Sequence, residues 1–129
     1  MFLHIDPHNG LAVYDQIVRQ VKFAVAQGVL ASGELAPSVR ELARELAVNP
    51  NTVARAYRQL QDEGVLETVR GTGVAVTPQA RRACQTQRKS LLAERLSLAL
   101  SEALAAGLEP DEVRKLCETE LSRLVRKQR

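Results

Sequence analysis

The sequence predicts a mainly α protein with one small β-hairpin, on three observations. Five stretches place apolar residues at helical spacing. Two short β-branched runs flank the glycine-rich turn Arg70-Gly71-Thr72-Gly73. The 129 residues are 45% hydrophobic but only 3% aromatic, which fits one small domain with an appendage, an aliphatic core, and no room for a two-lobed enzyme. With 26% charged residues, seven Gly and five Pro, the composition is neither disordered nor collagen-like.

Phe2-Leu3-His4-Ile5 reads as a small strand or an extended arm, ended by the turn signals Asp6-Pro7 and Asn9-Gly10. From Tyr14, the apolar positions Ile17, Val18, Val21, Ala24 and Val25 predict a first amphipathic helix ending near Gly28. After a loop at Ala31-Ser32-Gly33, Ser38 is placed to cap a short second helix, with Glu41 completing a capping box. Its apolar face is Val39, Leu42, Ala43 and Leu46. A third helix follows at once: Asn49 is a good N-cap, Pro50 suits the first helical position because its missing N–H has no partner there, and Gly64 stops the run after Glu63. Val53, Ala56, Tyr57 and Leu60 form its buried stripe; Asn51, Thr52, Arg55, Arg58, Gln59 and Asp62 form a polar one.

Val65 to Val69 and Val74 to Thr77 read as the two strands of the hairpin. Beyond Pro78, a fourth helix carries Leu92, Leu96, Ala99, Leu100, Ala103 and Leu104 on one face and ends near Gly107. Pro110, followed by Asp111 and Glu112 in the electropositive first turn, opens a fifth with Val113, Leu116, Cys117, Leu121, Leu124 and Val125 on its face. The division read from the sequence is therefore residues 1–77, then a two-helix tail over 78–129.

The formal charge of +3 is unevenly placed. Residues 1–77 hold seven Lys+Arg and eight Asp+Glu, a net of −1, whereas 78–129 hold eleven and seven, a net of +4. The N-terminus lacks a basic stretch followed by an apolar run, and Leu91 to Leu108 is interrupted by Glu94, Arg95 and Glu102, so the expectation is a cytoplasmic chain with no membrane partner. Cys84 and Cys117, 33 residues apart without a C-x-x-C partner, read as two reduced, partly buried thiols. His4, Asp6 and His8 form a H-x-D-x-H run, but Pro7 interrupts it and no fourth ligand is near, so an arm is preferred and no metal or other cofactor is expected. No nucleophile elbow, P-loop, H-E-x-x-H or carboxylate pair marks a catalyst, so no catalytic residue is assigned.

A supporting helix, two short helices about four residues apart, and a hairpin make a winged helix-turn-helix. The second helix of such a pair lies in the major groove while the first braces it across the backbone. Pro37-Ser38-Val39-Arg40-Glu41-Leu42-Ala43, then Val48-Asn49-Pro50-Asn51-Thr52-Val53-Ala54-Arg55-Ala56-Tyr57, then Leu60, Glu63-Gly64 and Arg70-Gly71-Thr72-Gly73 stand in an order and spacing that resembles the GntR family of bacterial transcription regulators, most closely its small YtrA-type branch. The resemblance covers about residues 10–77, with a reduced Ser32-to-Pro37 segment and Ala75 where a bulkier aromatic is common.

The resemblance implies that Arg40 contacts double-stranded DNA, that Asn49, Asn51, Thr52 and Arg55 sit on the reading face, and that Arg70, Gly71, Thr72 and Gly73 form the wing tip. Residue chemistry agrees. Asn and Arg make bidentate bonds to adenine and guanine edges, Thr bonds phosphate or packs on a thymine methyl, and a helix N-terminus favours phosphate. Arg58, a turn further on, reads as a phosphate or solvent residue, Arg44 as a solvated partner of Glu41 or Glu45, and Tyr57 as core with its hydroxyl at the rim. The capping duty of Asn49 by itself accounts for its presence. Arg81, Arg82 and Arg88 follow the wing closely enough to add nonspecific phosphate attraction.

A helix hairpin this short has too little core to bury both its apolar faces. The expectation is a homodimer joined through Leu92, Leu96, Leu100, Leu104, Val113, Leu116, Leu121 and Leu124, which places two reading heads about a twofold axis and calls for an inverted-repeat operator. The reading is thus a sequence-specific transcription regulator, a repressor in its simplest form because a compact dimer occludes a promoter. The alternative is a winged-helix module that binds protein and does not read DNA. The YtrA-type resemblance leans towards no dedicated ligand domain, and no small effector is identified.

Overall fold

The computed structural model describes residues 3–128, which fall into two compact units, one running to Lys89 and the other beginning at Ser90. In chain order the elements are α1 (Val13–Gln27), α2 (Val39–Leu46), α3 (Pro50–Asp62), β1 (Leu66–Val69), β2 (Gly73–Val76), α4 (Ala80–Ala105) and α5 (Pro110–Lys127). The five helices and the antiparallel hairpin follow the order read from the sequence.

The segment before α1 is an extended arm and forms no strand among the described residues; Phe2, included in the expected arm, lies outside them. Leu3 is buried, and two glutamines of α1 take the place of a pairing strand. The Gln20 amide accepts from the His4 N–H at 2.7 Å and donates to the His4 carbonyl. Gln16 accepts from the Asp6 N–H at 2.9 Å and donates to the carbonyls of Asp6 and Leu11 at 2.9 and 3.0 Å. Backbone polar groups that a sheet would satisfy are satisfied here by side chains.

In the first unit α1 and α2 pack against α3, which also meets β1. Ile17, Leu42, Val53, Leu60, Leu66 and Val76 are fully buried in one continuous core, each contributing about 1.5–3 kcal/mol of transfer free energy. α2 starts where the sequence places it: the Ser38 hydroxyl accepts from the Glu41 N–H at 3.1 Å. It ends at Ala47, which lies in the left-handed region at φ 55°, the one non-glycine residue there among those described. That residue lets the backbone turn within three residues from α2 to the Asn49 cap of α3.

The hairpin pairs Leu66 with Val76 and Val69 with Gly73, one residue displaced at three of its four strand ends from the expected strands. Val65 instead closes α3 through its N–H to the Leu60 carbonyl at 2.9 Å, and Thr77 bonds back to Val65 and Gly64. The segment read as a loop before α2 adds a short third edge. Gly33 and Ala36 donate to the carbonyls of Val76 and Val74, Val76 donates to Glu34, and Leu35 bridges Ala75. Pairing covers the free edge of β2, and Ala75 beneath it is buried.

One ion pair ties α1 to the end of α3: the Lys22 ammonium, 8% exposed at its side chain, meets Glu63. Burial alone would raise the Glu63 carboxyl, but hydrogen bonds from Lys22 and Gln59 and the Lys22 charge outweigh it and hold it below its ordinary value. The first turns of α4 belong to this unit as well, so it continues past the hairpin end at Thr77. Ala80 and Cys84 are buried in the core, the Gln85 amide donates to the Ala26 carbonyl at 3.2 Å, and the Arg81 guanidinium lies against Gly28 at the C-terminus of α1. A cation at that end interacts favourably with the negative end of the helix dipole. Burial pushes the Cys84 thiol up, with Lys22 opposing and Glu63 adding to the shift. Cys117, expected to be partly buried, is exposed; both thiols are free.

In the second unit the rest of α4 turns at Gly107 into α5, whose start carries a reciprocal capping box between Glu109 and Glu112. Val113, expected on the face shared between subunits, is already buried within the single chain, and Leu100 is half-buried. Leu92, Leu96, Leu104, Leu116, Leu121 and Leu124 are each 45–64% exposed in the single chain. A cleft of about 520 Å³ opens beside Leu100, Leu104, Pro110, Val113 and Cys117.

Candidate nucleic-acid interface

The face of α3 opposite its buried stripe is built by helical arithmetic. Asn51, Arg55 and Arg58 recur at intervals of four and three and therefore stand in one row. All three are exposed and Thr52 is half-buried beside them. At the head of the row the Asn49 carboxamide accepts from the Asn51 N–H at 2.8 Å, while the Asn49 carbonyl accepts from the Thr52 N–H at 3.0 Å. Asn49 thus caps the helix as the sequence indicates, with its amide nitrogen left over as a donor.

Arg40 lies in the first turn of α2 and is exposed, as is Arg44 in the last. The expected partnership with Glu41 or Glu45 does not form: among the described residues, neither Arg40 nor Arg44 takes part in an ion pair such as Lys22–Glu63, Arg114–Asp111 or Arg123–Glu120. Tyr57 is buried as expected, and its hydroxyl donates to the Pro37 carbonyl at 2.6 Å, fixing the segment before α2 onto α3. Burial, and secondarily the Glu41 charge, drive its hydroxyl well above the ordinary phenol value, so it remains a donor at all physiological pH.

The wing tip, Arg70 to Gly73, is exposed throughout. The Thr72 N–H closes the turn on the Val69 carbonyl at 2.9 Å. Gly71 at φ 77° and Gly73 at φ 143° have open space where a Cβ would stand, so the requirement for glycine is one of backbone conformation. Among the described residues no three His, Cys, Asp or Glu converge on a metal position, and no helix is long and apolar enough to cross a membrane.

Sequence reasoning missed one feature of this face. The Arg55 guanidinium lies over the ring of Tyr14, 3.8 Å from its centroid. The two residues are 41 positions apart, and no local spacing signals the contact; the scarcity of aromatics is the only pointer, since a half-buried Tyr at the start of α1 is one of four aromatic residues in the chain.

Two helices joined by a tight turn, braced by a third and followed by a two-stranded wing, define a winged helix-turn-helix protein of the DNA-binding class. The chain belongs to the bacterial regulatory proteins of the gntR family, which residues 13–76 match. It is 35% identical over 111 residues to the HTH-type transcriptional repressor YtrA of Bacillus subtilis (strain 168), covering 86% of this chain and 85% of that one. A GntR family transcriptional regulator from Listeria monocytogenes superposes with a TM-score of 0.68 at 30% identity, over 89% of this chain and 98% of the other. YtrA from Sulfolobus acidocaldarius, described as a GntR-family transcription factor, does so with 0.58 at 32%, over 75% and 99%. The chain is a transcription regulator with a DNA-binding helix-turn-helix, and not an enzyme.

Proposed function

We propose that the protein is a homodimeric repressor that works in the cytoplasm and reads an inverted-repeat operator. Asn49, Asn51, Thr52 and Arg55 face the major groove, Arg40 and Arg58 meet the backbone, and the wing from Arg70 through Gly71 and Thr72 to Gly73 lies along the adjacent groove. The observation that carries the dimer is the row of leucines left 45–64% exposed on α4 and α5. Monomeric soluble proteins rarely leave a contiguous apolar surface of that kind uncovered. A second copy of the same face, through Leu92, Leu96, Leu104, Leu116, Leu121 and Leu124 with Leu100 at its edge, covers it by symmetry. Repression is supported by the name of the Bacillus subtilis relative, matched across most of both chains.

The experiment is selection of duplexes from a random pool by the full chain, alongside sedimentation velocity. The expected result is a dimer and an enriched inverted repeat whose half-sites lie about one helical turn, or a multiple of it, apart. Binding that falls steeply with salt supports DNA reading through counterion release. A monomer, or a pool with no enriched sequence, refutes the proposal; salt-insensitive binding to protein with no enrichment supports the interaction-module alternative.

A further inference from the structure

Among the described residues Arg55 alone places its guanidinium over an aromatic face, the ring of Tyr14 in the first turn of α1. We propose that Tyr14 is a positioning residue for base reading: it holds the Arg55 guanidinium flat so that its N–H edge meets the acceptor edge of one guanine in each half-site. This inference rests on the DNA-reading function proposed above.

Three observations support it. The central guanidinium carbon stands 3.8 Å from the ring centroid, a separation that fits stacking through the π-face; hydrogen bonds leave in the guanidinium plane, so stacking and a bidentate bond to guanine O6 and N7 do not compete. Arg55 is exposed and forms no ion pair with any described residue, so DNA displaces no carboxylate when it takes up the N–H groups. The ring is itself anchored: Tyr14 is half-buried and packs against the core, on a helix that packs against α3. A long flexible side chain loses rotamer freedom when it binds; one already stacked has lost much of it beforehand. The benefit comes from the ring face, and phenylalanine supplies the same face.

The test uses the full chain and the duplex enriched from the random pool, with each single-base substitution of it. Tyr14→Phe is expected to match the wild type. Tyr14→Leu is expected to weaken binding to the selected site by about three- to fivefold, the exposed-site range for such a stack, and to relax preference at one G·C pair per half-site. Arg55→Ala is expected to relax the same pair, and the double variant to be no worse than Arg55→Ala alone. Salt-dependent binding to an arbitrary duplex stays unchanged for Tyr14→Leu, which separates lost positioning from lost folding; Tyr14→Met serves if the leucine variant does not fold. Full preference in Tyr14→Leu, additive effects in the double variant, or a loss in Tyr14→Phe equal to that in Tyr14→Leu overturns the positioning role while leaving DNA reading intact. A wild-type chain that enriches no sequence overturns both.

Discussion

Replacing Glu63 by Gln leaves the Lys22 ammonium in place with no counter-charge. The Lys22 side chain is 8% exposed and that of Glu63 32%, so the pair is buried on one side and wet on the other. Breaking a fully buried pair costs about 3–5 kcal/mol, and solvent at Glu63 reduces this to about 2 kcal/mol. With a urea dependence of about 1–3 kcal/mol per molar, the unfolding midpoint falls by about 1 M. Lys22→Met combined with Glu63→Gln removes the stranded charge and is expected to be more stable than Glu63→Gln alone. The pH dependence has a fixed sign. The folded carboxyl lies below its ordinary value of 4.5 because the Lys22 and Gln59 hydrogen bonds and the Lys22 charge outweigh the burial that would raise it. Its contribution is therefore fully present above that ordinary value and is lost as pH falls through the lowered folded value. The gap between wild type and Glu63→Gln should be constant from neutral pH down to about 5 and close in acid. Urea titrations at fixed protein concentration read this directly. A single variant within about 0.5 kcal/mol of wild type at neutral pH, or a gap that widens in acid, would refute the pairing as the tie between α1 and α3.

Ala47→Gly is expected to leave stability unchanged or raise it by at most about 1 kcal/mol, because relief of the left-handed conformation opposes added chain entropy in the unfolded state; Ala47→Val should lower it, and thermal melts distinguish the two. Asn49→Ser keeps a capping oxygen, so unchanged stability with a loss of sequence preference in gel-shift titration marks Asn49 as a base reader, while unchanged preference leaves it a cap only. Arg70→Ala should weaken binding evenly across sequences and reduce the salt slope by about 1; a changed base preference would move Arg70 from phosphate contact to base reading.

The helices and their ends were legible because their signals are local. Ser38, Asn49, Pro50 and Gly28 lie within a turn of the backbone groups they serve, and the leucine faces recur with the helical period. What escaped depends on partners distant in sequence. Gly33 to Ala36 contains no β-branched residue, and it pairs with β2 because that strand has an edge to cover. Gln16 and Gln20 carry no local signal of their role, because the arm groups they serve lie 10 and 16 positions away. Lys22 carries no local signal of its burial, which depends on Glu63, 41 positions away. Arg81 read as free positive charge near the wing, and its guanidinium is engaged at the end of α1.

Charge placement makes one further consequence of the proposed dimer calculable. Residues 1–77 carry a net of −1, and within them Lys22 and Glu63 neutralise each other as an ion pair. A single head therefore gains little from long-range attraction, and its affinity falls on a few placed side chains, Arg40, Arg55, Arg58 and Arg70 among them. Removing one such contact costs about 1–3 kcal/mol. Losing the second head costs more, since linkage of two sites raises binding by about 10²–10⁴-fold at no new contact. Leu96→Glu or Leu121→Glu, placed on the exposed face and far in sequence from α3, should thus reduce operator affinity more than any single arginine change does. Their affinity for the full operator should fall to that for an isolated half-site, with the melting temperature of the head unchanged. Fluorescence anisotropy on full and half-site duplexes, paired with sedimentation, measures both quantities. A variant that sediments as a monomer yet retains operator affinity would show that each head reads its site alone, and would detach the leucine face from DNA recognition.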